Sequence, residues 1–273
     1  MEHRLSPDLA VLSISAATHK GYSRDENEDS FLVHHRVGGG DFAQLATEMA
    51  VTEDGVVFAI ADGLGGHRAG EVASRYAVTQ ISTKLADVDF SDNASLSALL
   101  NGVSRGLHQQ MSETPSLQGM GTTIVMAFVT AQTLTFINVG DSRGYLIDES
   151  GLRQITHDDV PPYSPTALRR TGVITQALGG MSRRTQIIPH VHRRELPEGE
   201  WSIILCSDGV SDFLSSEEIE SVGRSGATDA MSLINSSLRA GGEDNISAIV
   251  VRCSRRESRV TDPSRDDHGL LPG

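Results

Sequence analysis

The chain has 273 residues, 38% of them hydrophobic and 22% charged, and carries a formal net charge of −13. That composition excludes wholesale disorder, and apolar runs of at most six residues (56–61 and 124–129) fall far short of the about 20 that a membrane helix needs. The last twenty residues balance four Arg against four acids, so the whole charge sits in residues 1–253, an acidic body without the basic stripe that nucleic acid requires. Two cysteines, Cys206 and Cys253, are too few for a disulfide framework or a zinc site. With no signal-type stretch at the N-terminus, the expectation is a cytoplasmic protein with neither a membrane nor a nucleic-acid partner.

In chain order, short runs rich in Val, Ile, Thr and Phe predict strands at 11–17, 31–34 and 56–61. A helix is predicted over 70–85, where Ala73, Ala77, Ile81 and Leu85 recur every four residues, and a second over 94–111 on Leu96, Leu99, Leu100, Val103 and Leu107. Strands follow at 122–129, 133–139, 144–147, 187–192 and 202–206. A helix over 227–238 and a strand at 246–252 end the pattern. Many strands with few, non-alternating helices point to antiparallel sheets with helices packed outside, an α+β architecture. The Gly-rich run 36–55 reads as a surface loop, and 254–273, without apolar periodicity, as a disordered tail.

The informative feature is a set of acids at strand ends beside turn residues: Asp62-Gly63, Gly140-Asp141, Asp208-Gly209, Asp244-Asn245, and Arg24, Glu28 and Asp29 ahead of the second strand. Any one Asp-Gly pair is more often a turn than a ligand. Repeated at several strand ends, they predict an all-oxygen site for a hard cation, because massed carboxylates repel one another unless a cation sits between them. If residues as distant as Glu28 and Asp244 converge, residues 1–253 fold as one domain.

The ordered series Arg24-Asp25-Glu26-Asn27-Glu28-Asp29, Ala61-Asp62-Gly63-Leu64-Gly65-Gly66-His67, Gly119-Met120-Gly121-Thr122-Thr123, Gly140-Asp141-Ser142-Arg143-Gly144, Ser207-Asp208-Gly209 and Glu243-Asp244-Asn245 closely resembles the bacterial branch of the metal-dependent protein phosphatases, the protein phosphatase 2C (PPM) family. The resemblance spans about residues 13–252. It implies a four-layer α-β-β-α sandwich, two central antiparallel sheets flanked by helices, with two or three Mn²⁺ or Mg²⁺ ions at one end. By the same resemblance Asp62 bridges two ions, Gly63 lends its carbonyl, Asp208 and Asp244 complete the first ion's shell, Glu28 reaches the second with Asp29 bracing it, and Asp141 with Asp208 forms a third site. Arg24 would grip the substrate phosphate, and His67 is a candidate acid for the leaving group. The implied partners are phosphoserine and phosphothreonine proteins and an opposing Ser/Thr kinase. The chemistry agrees: two cations about 4 Å apart lower the pKa of a bridging water for in-line attack on phosphorus.

One departure is the link 160–175 between His157-Asp158-Asp159 and Gln176-Ala177-Leu178-Gly179, which is shorter than the flap usual in the family. The pattern Cys253-x5-Arg259 formally permits a cysteine phosphatase, but it contains no glycine to wrap phosphate and no helix follows it. The alternative to an enzyme is a catalytically weak phosphoprotein-binding or scaffold module of the same fold.

Overall fold

The computed structural model describes residues 11–64, 69–161, 173–180, 185–225 and 229–254. Its elements in chain order are strands β1 (Val11–His19), β2 (Asp29–Val33), β3 (Arg36–Gly39), β4 (Phe42–Ala50) and β5 (Val56–Leu64), then helices α1 (Ala69–Lys84) and α2 (Asn93–Glu113). Strands β6 (Gly121–Thr122), β7 (Ile124–Val129), β8 (Thr133–Val139), β9 (Arg143–Asp148), β10 (Gly151–Gln154), β11 (Leu178–Gly179), β12 (His190–Glu195) and β13 (Trp201–Cys206) follow. Helices α3 (Asp208–Ser211), α4 (Ser216–Arg224) and α5 (Ala230–Arg239) precede the last strand, β14 (Ile246–Ser254).

The strands form two sheets. One has six strands in the order β10-β9-β13-β14-β1-β4; the other has eight, along β11-β6-β5-β7-β8-β12 with β2 and β3 added on β5. Neighbours run antiparallel in both. Side chains alternate across a strand, and here both faces are buried, which is why the central strands read as continuous apolar runs. In β5, Val56, Phe58 and Ile60 enter the core between the sheets, whereas Val57, Ala59 and Ala61 pack under α1 and α2. In β14, Ile249 and Val251 face that inter-sheet core and Ala248 and Val250 pack under α5. The result is the expected sandwich, with helices on each outer face.

Local chemistry ends the helices where the sequence allows. Asp92 accepts the N–H groups of Ala94 and Ser95 and starts α2, Asp229 does the same for α5 through Met231, and Ser215 with Glu218 forms a capping box on α4. Among the described residues no helix is long and apolar enough to cross a membrane.

Two expectations are corrected. The run 36–55 is not a loop: it forms β3 and nine-residue β4, which closes one edge of the six-stranded sheet in continuous register with β1 from Val11↔Ala50 to His19↔Phe42. The strand expected at 187–192 begins only at His190, because Ile187 is a buried anchor whose backbone N–H and C=O are both bonded by the side chain of Asn101 on α2. The start of the predicted helix at 227, most of the link 160–175, and the tail beyond 254 lie outside the described residues.

Candidate metal centre

Register brings the strand-end acids to one end of both sheets. In the eight-stranded sheet Asp29 opens β2 directly opposite Asp62 near the end of β5. In the six-stranded sheet β13 ends at Cys206, paired with Arg143 on one side and Ala248 on the other, so Asp208, Asp141 and Asp244 all lie just past that row. The β8–β9 turn, the start of α3 and the start of β14 therefore deliver their acids beside Asp62.

Asp29 is fully buried and anchors a hydrogen-bonded chain across the sandwich. The Ser207 hydroxyl donates to Asp29 Oδ2 (2.9 Å) and accepts the Ser247 N–H (3.0 Å). Ser247 Oγ and Asn27 Nδ2 both donate to Thr18 Oγ1 (2.7 Å each), and Asn27 Oδ1 accepts the Asp29 N–H (3.1 Å). Asp29 Oδ1 has no hydrogen-bond partner among the described residues. Burial pushes the Asp29 carboxyl up to about 7; the Ser207 hydroxyl favours its ionised form, and Asp244 and Glu28 oppose it.

Glu28 is clamped by Asn245, whose Oδ1 accepts the Glu28 N–H (2.8 Å) while its Nδ2 donates to the carbonyls of Lys20 and Glu26 (2.8 and 3.0 Å). One side chain thus locks the loop carrying Arg24 and Glu28 onto the strand that follows Asp244. The Glu28 carbonyl accepts the Gly63 N–H, and a Cβ at Gly63 would stand 2.3 Å from the Gly70 carbonyl oxygen and 2.5 Å from that of Glu28. Only glycine lets β5 approach the Glu28 loop and the first turn of α1 so closely. Burial raises the Glu28 carboxyl, with Arg24 and the Gly70 N–H pulling it back.

Asp62 lies well above the ordinary carboxylate range, first from burial, then from Asp29, Asp208, Asp244 and Asp141. Burial likewise pushes Asp208 up to about 8, with Asp244, Asp141, Asp29 and Asp212 adding to it. Asp141 is also raised, chiefly by burial. These carboxyls repel one another in a poorly solvated pocket. Arg24, half-exposed, answers part of that charge by donating from Nη2 to Asp244 Oδ2 (2.8 Å). Burial lowers the guanidinium pKa, yet Asp244, with Asp62 and Glu28, outweighs it and holds Arg24 charged.

Asp141 is held by a different device. Gly140, at φ +100°, is a position where a Cβ would stand 2.7 Å from the Thr123 side chain. Its N–H donates to Asp159 Oδ2 (2.9 Å), which also accepts Gln176 Nε2 (3.0 Å), while Asp159 Oδ1 meets His190 Nε2 (2.9 Å). Behind the turn, Arg143 makes a forked ion pair with Asp158, from Nε (3.0 Å) and Nη2 (2.8 Å) to Oδ2.

The arrangement brings together Arg24, Glu28, Asp29, Asp62, Gly63, Asp141, Asp208 and Asp244; His67 lies outside the described residues. Among the described residues no group of three or more His, Cys, Asp or Glu side chains is already closed around an ion-sized point. The donor chemistry nonetheless fits a hard divalent cation: acids that raise one another's pKa and an orphaned buried oxygen on Asp29. Residue-by-residue reading passed over Asn245, Ser207, Ser247, Thr18, Asp159 and Asp212. Asn27, Ser207 and Asn245 stand inside the motifs, whereas Thr18 and Ser247, within strands, carry no such signal. The cysteine alternative fails on geometry: Cys253 is buried in β14 opposite Trp201, and burial pushes the Cys206 thiol up to about 12.

Residues 34–248 match the family model described as protein phosphatase 2C. The chain is 32% identical over 254 residues to the serine/threonine protein phosphatase PstP of Mycobacterium tuberculosis, covering 88% of this chain and 45% of that protein, so it spans about half the length of that relative. It is 29% identical over 268 residues to the serine/threonine phosphatase stp of Listeria monocytogenes, covering 91% and 97% of the two chains. The solved catalytic domain of PstP in complex with two manganese ions superposes with a TM-score of 0.71 at 31% identity, over 90% of this chain and 99% of that one. The match takes in strands of both sheets and the acids Asp62, Asp141, Asp208 and Asp244, and the chain belongs to the protein phosphatase 2C family.

Proposed function

We propose that this chain is a Mn²⁺- or Mg²⁺-dependent protein serine/threonine phosphatase of the cytoplasm, hydrolysing phosphoserine and phosphothreonine in proteins and opposing a Ser/Thr kinase. The observation that carries the reading is the convergence of Asp62, Asp141, Asp208 and Asp244 from separate strand ends, with Arg24 on their rim. Glu28, Asp62, Asp208, Asp244 and the Gly63 carbonyl would hold two ions, Asp29 would brace Glu28 and Asp62, and Asp141 with Asp208 would take a third. When bound, the cations supply Lewis-acid charge that activates water and neutralises charge developing on the phosphoryl group.

The chain's own residues do the rest. Arg24 presents a planar fork that can bind two phosphate oxygens, and its swing from Asp244 to the phosphate leaves Asp244 free for a cation. Asp29 is fully buried beneath the partly exposed Asp62 and Asp208, which leaves those two acids facing the open end of the site. No side chain in the site is required as a covalent nucleophile.

The test is hydrolysis of a phosphothreonine peptide with Mn²⁺, with EDTA and with Asp208→Asn. Manganese-dependent turnover, lost reversibly in EDTA and lost in the variant, supports the reading. Peptide binding without turnover in the wild-type protein assigns the chain to the scaffold alternative instead.

A further inference from the structure

Thr122, Thr123 and Ser142 are buried polar residues that stand among the acids without being acids. They lie where the eight-stranded sheet has a break. Strand β5 pairs with β7 from Val56↔Val129 to Ile60↔Val125, and with β6 from Gly63↔Thr122 to Leu64↔Gly121, in one unbroken register. Thr123 belongs to neither β6 nor β7, and the residue it faces across the gap is Asp62.

One ladder bond survives there: the Thr123 N–H donates to the Asp62 carbonyl (2.9 Å). The reciprocal bond is replaced. The Asp62 N–H donates to Thr123 Oγ1 (3.2 Å). The Thr123 carbonyl instead accepts from Thr122 Oγ1, which donates to it and to the Asp62 carbonyl (2.9 Å each). A side-chain hydroxyl thus takes a backbone carbonyl's place at a residue whose carboxyl interacts with Asp29, Asp208, Asp244 and Asp141. The same hydroxyl reaches the other sheet, since Thr123 Oγ1 lies 2.8 Å from Ser142 Oγ, just ahead of β9. Ser142 directly follows Asp141. Gly140, on the other side of Asp141, packs so closely that a Cβ there would stand 2.7 Å from Thr123 Cβ and Cγ2.

We propose that Thr123 is a positioning residue for the ion site: its hydroxyl fastens Asp62 to the Gly140-Asp141-Ser142 turn, which crosses to the other sheet, and so sets the spacing of Asp62 from Asp141. The proposal rests on the phosphatase reading above and adds to it a residue that touches neither ion nor substrate. Carboxyls that repel one another push apart the strand ends that carry them unless the backbone is tied. A hydroxyl suits the tie because it accepts from one group and bonds a second at the same time. Valine, of the same shape, would leave the Asp62 N–H and the buried Ser142 hydroxyl without this partner.

Thr123→Val, Thr123→Ser and Ser142→Ala are compared with the wild-type chain by Mn²⁺ titration calorimetry, by hydrogen exchange of the metal-free protein, and by turnover of a phosphothreonine peptide. Thr123→Val should weaken Mn²⁺ binding about ten- to a hundredfold and speed exchange at the Asp62 amide. It should lower kcat while KM for the peptide stays within about twofold, because Arg24 keeps its place. Thr123→Ser should recover most of the affinity and of kcat. Ser142→Ala should weaken Mn²⁺ binding about tenfold while the Asp62 amide stays protected, and it carries the test if Thr123→Val does not fold. Wild-type Mn²⁺ affinity in Thr123→Val or in Ser142→Ala overturns the proposal, as does a Thr123→Ser defect as large as that of Thr123→Val. A lower Tm with metal binding and kcat unchanged also overturns it, since that marks a residue serving stability alone. The expected pattern of Mn²⁺ binding without turnover of the peptide by any variant or the wild type sinks the phosphatase reading and leaves the positioning role standing.

Discussion

The two sides of the acid cluster are built by different means. On one side Asp29, Glu28 and Asp244 sit on or beside paired strands, and their supports (Ser207, Ser247, Thr18, Asn27, Asn245) belong to the sheets or to loops locked to them. On the other, Asp141 rides a glycine turn held through Asp159, whose carboxylate also gathers Gln176 and His190 from either end of residues 173–190. The first side is tied into secondary structure that cannot shift without breaking a ladder. The second is tied through Asp159 to Gln176 and His190, outside the paired strands that hold the first. The contrast implies that ion binding is set by the first side and adjusted by the second.

The harshest way to test that contrast is to remove one acid from each. Asp62→Ala should lower kcat/KM by about a thousandfold or more, because the acid that interacts with Asp29, Asp208, Asp244 and Asp141 alike is lost, whereas Asp141→Ala should cost about tenfold. Steady-state kinetics across a Mn²⁺ series separates the two, and equal losses would erase the distinction between the sides.

The supports come next. Ser207→Ala leaves buried Asp29 Oδ2 without its donor, which should cost about 1–3 kcal/mol of stability and weaken Mn²⁺ binding by about 10–100-fold. Asp159→Ala should leave Mn²⁺ affinity at the first side unchanged while speeding hydrogen exchange at the Gly140 amide. Thermal melts, metal titration and exchange measurements on both variants distinguish these outcomes.

Arg24 lies between the two sides. Arg24→Ala should lower kcat/KM about ten- to a hundredfold through loss of charge-assisted hydrogen bonds to phosphate, and Arg24→Lys should recover only part of it. Mn²⁺ affinity should stay the same or rise slightly, since a half-exposed ion pair with Asp244 no longer competes. Weaker Mn²⁺ binding in Arg24→Ala would show the arginine to be a structural clamp.

The last expected effect is a pH slope in the metal-free protein. The folded protein holds Asp29 at about 7 and Asp208 at about 8, against about 3.9 for an aspartate in the unfolded chain. The folded state then binds more protons than the unfolded one between these values. Stability of the metal-free protein should be greatest near pH 4 and fall as pH rises toward 8. Saturating Mn²⁺ should remove the slope, and a metal-free protein that gains stability over this range would contradict the crowding of carboxyls.

The sequence displayed the first side better than the second. Asp62, Asp208 and Asp244 were legible because each ends or precedes an apolar run beside a turn residue. The central strands were legible because both of their faces are buried. β4 was not: Phe42-Ala-Gln-Leu-Ala-Thr-Glu-Met-Ala50 is mostly composed of helix formers, and only pairing with β1 makes it a strand. α4 escaped notice because it is nine residues long with two buried residues, Ile219 and Gly223, although Ser215 and Glu218 spell its capping box. The role of Asp159 depends on partners at 140, 176 and 190, contacts that no local pattern encodes.

The central claim is that these strand-end acids form one cation site. Calorimetric titration of Mn²⁺ into the metal-free protein near pH 7.5, repeated in buffers of different ionisation enthalpy, tests it most directly. The account predicts at least two ions bound with net proton release, as Asp62 and Asp208 give up protons, and loss of both ions in Asp62→Asn. Binding without proton release, or binding unchanged in Asp62→Asn, would contradict it.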